Sequence, residues 1–142
     1  TVVSDDAHAL EHCLEVQLPF LQAVLTDFRL VPIVVGNCPA EMVARVLENF
    51  WDDETLFVVS SDLSHYHRYA EAQQLDAETS ARIVSRDDSL HGEAACGAAA
   101  INGLMQLART HALTVTQLDV RNSGDTAGDR RQVVGYGAYA LH

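Results

Sequence analysis

An α/β domain is predicted by three features of this sequence. Dense apolar runs of strand length occur at 29–35 and 56–60, stretches with apolar residues at helical spacing separate and follow them, and two alternating runs lie near the C-terminus. Length and composition agree with one globular domain: 142 residues, 48% hydrophobic and 20% charged. A self-contained chain of that size buries about 68–70% of its unfolded surface.

The first helical stripe is Leu10, Leu14, Leu18, Leu21 and Leu25, three and four residues apart within 9–25. Pro19 falls inside it and removes an amide donor, so the helix is expected to kink or restart there. The run Leu30-Val31-Pro32-Ile33-Val34-Val35 predicts a buried strand ending at Gly36-Asn37, with Pro32 pointing to an edge or a strand start. Pro39 suits the first turn of a helix reaching about Phe50, with Met42, Val43, Val46, Leu47 and Phe50 as its apolar face. A polar loop through Glu54 leads to a second buried strand, 56–60, followed by a polar segment to His67.

Residues 69–85 read as a partly exposed helix through Leu75, Thr79, Arg82 and Ile83, and 86–89 as a loop. Residues 93–110 read as an alanine-rich helix whose small residues, among them Ala95, Gly97 and Ala98, admit close approach by another backbone. Half-buried strands are expected at 113–120 and 133–141, with a turn at Asn122-Ser123-Gly124-Asp125-Thr126 between them.

Charge narrows the function classes. Nine basic against twenty acidic residues give a formal charge of −11, which argues against a phosphate backbone or an anionic membrane surface as partner. No apolar run approaches the ~20 residues that span a bilayer, and no signal-peptide pattern opens the chain, so a cytoplasmic location is expected. Cys13, Cys38 and Cys96 lack zinc-knuckle spacing and read as free thiols, Cys13 and Cys38 as small buried hydrophobes. No Walker A, GxGxxG, GxSxG or HExxH pattern occurs.

The chemistry-bearing stretch is Ser60-Ser61-Asp62-Leu63-Ser64-His65-Tyr66-His67, where an apolar run gives way to hydroxyls, a carboxylate and imidazoles. Ligands of open α/β sheets bind beyond strand C-termini, which makes this the first candidate site. Asp62 and His65, three residues apart, suit a carboxylate orienting an imidazole base, or a pair flanking a metal. The same residues also suit a helix cap with His65 on the surface. Tyr66 and His67 either line the same mouth or are merely exposed. Cys96 precedes Gly97 near a helix start, at the positive end of its dipole, and is either a site thiol or part of the alanine face.

Four ordered segments together resemble the Memo family: Glu11-His12-Cys13-Leu14-Glu15-Val16-Gln17-Leu18-Pro19-Phe20-Leu21, Ser60-Ser61-Asp62-Leu63-Ser64-His65-Tyr66, Ala95-Cys96-Gly97, and Asn122-Ser123-Gly124-Asp125 followed by Val134-Gly135-Tyr136-Gly137-Ala138. The resemblance implies a mixed central sheet flanked by helices, similar to class III (LigB-like) extradiol dioxygenases. It assigns His65 as acid/base, Asp62 as the group that orients or tunes it, and Cys96 as a metal ligand or redox-active thiol. A thiolate where those enzymes offer a carboxylate favours copper, zinc or a different iron environment over a facial triad, and iron or copper, with zinc less expected, is the cofactor the resemblance implies for a metal-dependent redox site.

Family members are roughly twice as long, and their two metal-pocket histidines lie in the N-terminal half. The chain, beginning at Thr1, is therefore expected to be the C-terminal portion of a single Memo-like domain with an incomplete metal site and sheet. His8 and His12 do not match the motif as substitutes. Self-association or pairing with the N-terminal half is expected to cover the exposed edge. The alternative function is a peptide- or metal-binding protein on the same scaffold, with an unidentified small-molecule or peptide ligand.

Overall fold

A computed structural model describes residues 1–126 and 128–142. It is a mixed α/β structure with short helices α1 (Asp5–His8), α2 (Leu18–Val24) and α3 (Ala40–Glu48), strand β1 (His65–His67), helices α4 (Tyr69–Val84) and α5 (Ala98–Thr110), strand β2 (Val115–Asn122), a 3-10 turn at Ser123–Asp125 and strand β3 (Val133–Leu141). The described strands form an antiparallel sheet in the order β1-β3-β2.

β3 is the centre of this sheet. Its register with β2 runs from Val115 opposite Leu141 to Asn122 opposite Gly135, and its other edge pairs His65 with Val134. The bend between β2 and β3 is a reciprocal cap: Asn122 Oδ1 accepts from the Gly124 amide at 3.0 Å, while Asp125 Oδ2 accepts from the Asn122 amide at 2.9 Å. Asn, Ser, Gly and Asp are residues whose side chains or φ freedom build such turns.

The core lies between α4, α5 and the sheet, with Leu63, Ile83, Leu90, Ala95, Ile101, Leu104, Met105, Leu107 and Val115 buried together. Close approach of α3 to α5 occurs at Gly103, where an added Cβ would lie 2.4 Å from Val43 Cβ. The inward stripe of α4 is Ala72, Asp76, Thr79, Ser80 and Ile83, unusually polar for a helix face against a core.

Several expected elements differ. The two apolar runs at 29–35 and 56–60 form no strand: a strand is completed by a hydrogen-bonded neighbour, and neither run has one among the described residues. In the second run, partly buried Phe57 and Val59 pack on the core while Leu56 and Val58 face out, 67% and 47% exposed. That alternation with apolar residues on both faces belongs to strands covered on both sides. The helix expected over 9–25 is reduced to α2, which starts at Leu18 with Pro19 in its first turn, in line with a restart at the proline. The alanine-rich helix begins at Ala98 rather than 93, because residues 91–97 turn back to bond the segment before β1. A strand at 65–67 was not expected, and the strand expected at 113–120 sits two residues later as β2.

Candidate functional site

The segment Leu63–His67 is held against β3 by reciprocal bonds, the Leu63 amide donating to the Gly135 carbonyl at 2.9 Å and the Gly135 amide to the Ser64 carbonyl at 2.8 Å. Gly135 is required here, since a Cβ would fall 2.1 Å from Asp76 Oδ2. The Asp76 side chain, in a residue 2% exposed, accepts from the Ser64 amide at 2.9 Å. A buried carboxylate on α4 thus pins the backbone one residue before His65.

The loop before α5 closes over the other end. The Cys96 amide donates to the Asp62 carbonyl at 3.2 Å, and the Asp62 amide donates back to Cys96 Sγ at 3.2 Å. Ser61 Oγ lies 3.6 Å from the same sulfur and accepts from the Gly97 amide at 2.8 Å. A Cβ on Gly97 would sit 2.8 Å from Ser61 Cβ, so the sulfur reaches this position only because glycine follows it.

Asp62, His65 and Cys96 are consequently brought together. One ligand atom from each lies within 4.8 Å of the others. His65 Nε2 is 3.4 Å from Asp62 Oδ2, with both side chains partly open to solvent, and Cys96 is exposed rather than part of the core. An imidazole nitrogen, a carboxylate oxygen and a sulfur from two chain segments lie close enough together that they could hold a metal ion. Cys13 and Cys38 are partly buried free cysteines outside this cluster. Ser61 lies in the stretch that the sequence marks, but its contact with Cys96 depends on a loop 35 residues away and is not legible there.

Tyr66 and His67 are not part of this three-residue cluster. His67 Nδ1 lies 3.1 Å from Glu71 on α4. Tyr66 is 70% exposed, with φ 61, and its ring centroid is 5.8 Å from that of His65. Behind the site, the Tyr69 hydroxyl donates to Asp125 Oδ1 at 2.6 Å, which holds the Asp125 carboxyl below the usual carboxylate range and raises the Tyr69 phenol. Arg130 stacks over the Tyr69 ring at 4.3 Å. No helix among the described residues is long and apolar enough to cross a membrane.

The family described as Memo-like protein matches residues 1–140. Among curated proteins, a MEMO1 family protein of Thermoplasma acidophilum is 32% identical, covering 95% of this chain and 54% of the relative. One from Aeropyrum pernix is 34% identical, covering 94% and 53%. Another from Archaeoglobus fulgidus is also 34% identical, covering 96% and 57%. The chain spans about half the length of the curated relatives it matches.

Proposed function

The chain belongs to the Memo family, and from that premise we propose that it contributes part of a metal-dependent redox site, for iron or copper, on a scaffold similar to the extradiol dioxygenases. The observation that carries this reading is the convergence of Asp62, His65 and Cys96. Cys96 is the ligand, its sulfur oriented by the Asp62 amide and Ser61. His65 moves the proton, and Asp62 faces its Nε2 to orient the ring. The metal supplies Lewis acidity and one-electron chemistry when bound.

A non-catalytic peptide- or metal-binding protein on the same scaffold is the second reading, since a fold does not fix a function. The three free cysteines support a reducing compartment, the cytoplasm.

The remainder of a Memo-like domain is the proposed cover for Val31, Val34, Leu56 and Val58, all exposed, and the source of further ligands. The relatives' additional length supplies enough chain for both. Metal analysis of purified wild-type protein and Cys96→Ser tests the site. Iron or copper bound by the wild type and lost in the variant is expected; equal metal in both removes Cys96 from the reading. Turnover of an oxidisable substrate by the loaded protein separates catalysis from binding.

A further inference from the structure

The face that α4 turns to the core carries Asp76 among Ala72, Thr79, Ser80 and Ile83. Burying a carboxylate is costly unless cations or hydrogen bonds offset the loss of water. Asp76 is 2% exposed, so this chain alone sets its surroundings. It makes no ion pair among the described residues, and the hydrogen bond its carboxylate accepts there comes from the Ser64 amide, 2.9 Å away. β3 gives up a side chain at Gly135 to admit it.

What that bond does follows from the place of Ser64 in the chain. The Ser64 carbonyl accepts from the Gly135 amide at 2.8 Å, whereas its own amide goes to α4 rather than to a strand. His65 then opens β1 opposite Val134, and the register is irregular from there to His67. Asp76 thus takes the place that a neighbouring strand's carbonyl would take and fixes where His65 joins the sheet. The Ser64 side chain supplies no second anchor: the residue is 1% exposed and its Oγ has no hydrogen-bond partner among the described residues. Ser64 also lies between the two members of the Asp62 and His65 pair, whose Oδ2 and Nε2 must meet at 3.4 Å beside Cys96. One buried carboxylate therefore restrains the backbone that joins them.

We propose that Asp76 is a positioning residue of the site: its carboxylate, bonded to the Ser64 amide, holds the stretch from Asp62 to His65 in the conformation that brings the His65 ring to Asp62 and Cys96. The inference rests on those three residues being the functional cluster, and it adds a fourth, buried residue that acts through the backbone. It accounts for an acidic residue on the inward face of α4, where the fold alone calls for an apolar one, and for the glycine opposite it on β3.

Asp76→Ala, Asp76→Asn and Ser80→Ala in the full-length protein separate positioning from support of the fold. Ser80 lies on the same buried face of α4 and bonds the Tyr139 hydroxyl instead of the site segment, so its loss reports what a missing buried polar contact does to stability alone. The His65 ring signals in NMR are the readout, with ferrous iron and copper then titrated into the same samples. Wild type and Asp76→Asn, whose amide oxygen still accepts from Ser64, are expected to give one set of His65 signals. Asp76→Ala is expected to give several sets or broadened ones, and to bind metal about tenfold more weakly, the low end of what losing a residue that supports a metal site costs. Ser80→Ala melts lower but matches wild type in both respects. An Asp76→Ala protein with the wild-type His65 signals overturns the proposal. So does one that does not fold, since the carboxylate then serves the fold, and so does an Asp76→Asn protein that disturbs His65 as much as Asp76→Ala. The metal titrations keep the two readings apart. His65 disturbed by Asp76→Ala in a protein that binds neither metal defeats the metal site alone, and undisturbed His65 with metal lost in Cys96→Ser defeats the positioning alone.

Discussion

Residues 1–58 and 59–142 have comparable apolar patterning and opposite fates. Among the described residues of the first region only Val43 is buried, whereas the second contains the whole of the remaining core. The first region is not poor in apolar side chains: Leu30, Val31, Ile33 and Val34 are consecutive or nearly so, and all are exposed. What it lacks is a surface to bury them against. The part of it that is anchored uses features of the second region, with Val43 set into the gap at Gly103 and Trp51 stacked on His111 at 3.9 Å. Apolar content is a demand for burial, and the demand is met only where a neighbour of matching shape is present.

Substitutions distinguish the two regions. Leu107→Ala, at a fully enclosed side chain in α5, is expected to lower stability by about 2–5 kcal/mol in chemical denaturation. A loss below 1 kcal/mol would mean that the second region is not the folding core. Gly135→Ala is expected to cost about 1–3 kcal/mol, because the new methyl meets the Asp76 carboxylate and must displace α4 from β3. Its effect should reach the cluster through Ser64, seen as a shift of the His65 ring resonances.

Acid titration sharpens the same contrast. Asp87 and Asp88 are held below the usual carboxylate range by hydrogen bonds, Asp87 from Arg82 and Ser89, Asp88 from Arg109 and Gln106. Their folded values are depressed, so their contribution is present above the unfolded value of about 3.9 and is lost as pH falls below it. About 1 kcal/mol between them is expected once solvent screening is allowed for. Asp87→Asn with Asp88→Asn should flatten stability against pH in that window; an unchanged slope would contradict it. The smallest effect is expected for Val31→Ala, within about 0.5 kcal/mol in this chain, because Val31 is exposed. Joined to the remainder of a Memo-like domain, the same change should become as costly as a core truncation.

Legibility in the sequence follows this division. Where patterning and packing agree, elements were readable: α4 at 69–84, β3 at 133–141 and the capped turn at 122–126 all fall where periodicity and turn chemistry place them. The runs at 29–35 and 56–60 carry strand patterning without becoming strands, since pairing is a property of two segments and a single sequence window shows one. Asp62, His65 and Cys96 could be nominated because residue type and ordered motifs single them out. Their convergence could not, because it depends on the loop before α5 folding back by way of the Cys96 amide and Ser61. For Tyr66 the sequence leaves two alternatives, lining the mouth or simple exposure; tyrosine has no preference for positive φ, so nothing local predicts the left-handed bend at this position.

In the proposed site Cys96 binds the metal while the thiols outside the cluster do not. X-ray absorption at the edge of the bound metal tests it most directly. A sulfur scatterer at bonding distance, lost in Cys96→Ser and retained in Cys38→Ser, is the predicted result. A shell of nitrogen and oxygen alone in the wild type, unchanged by Cys96→Ser, would contradict it.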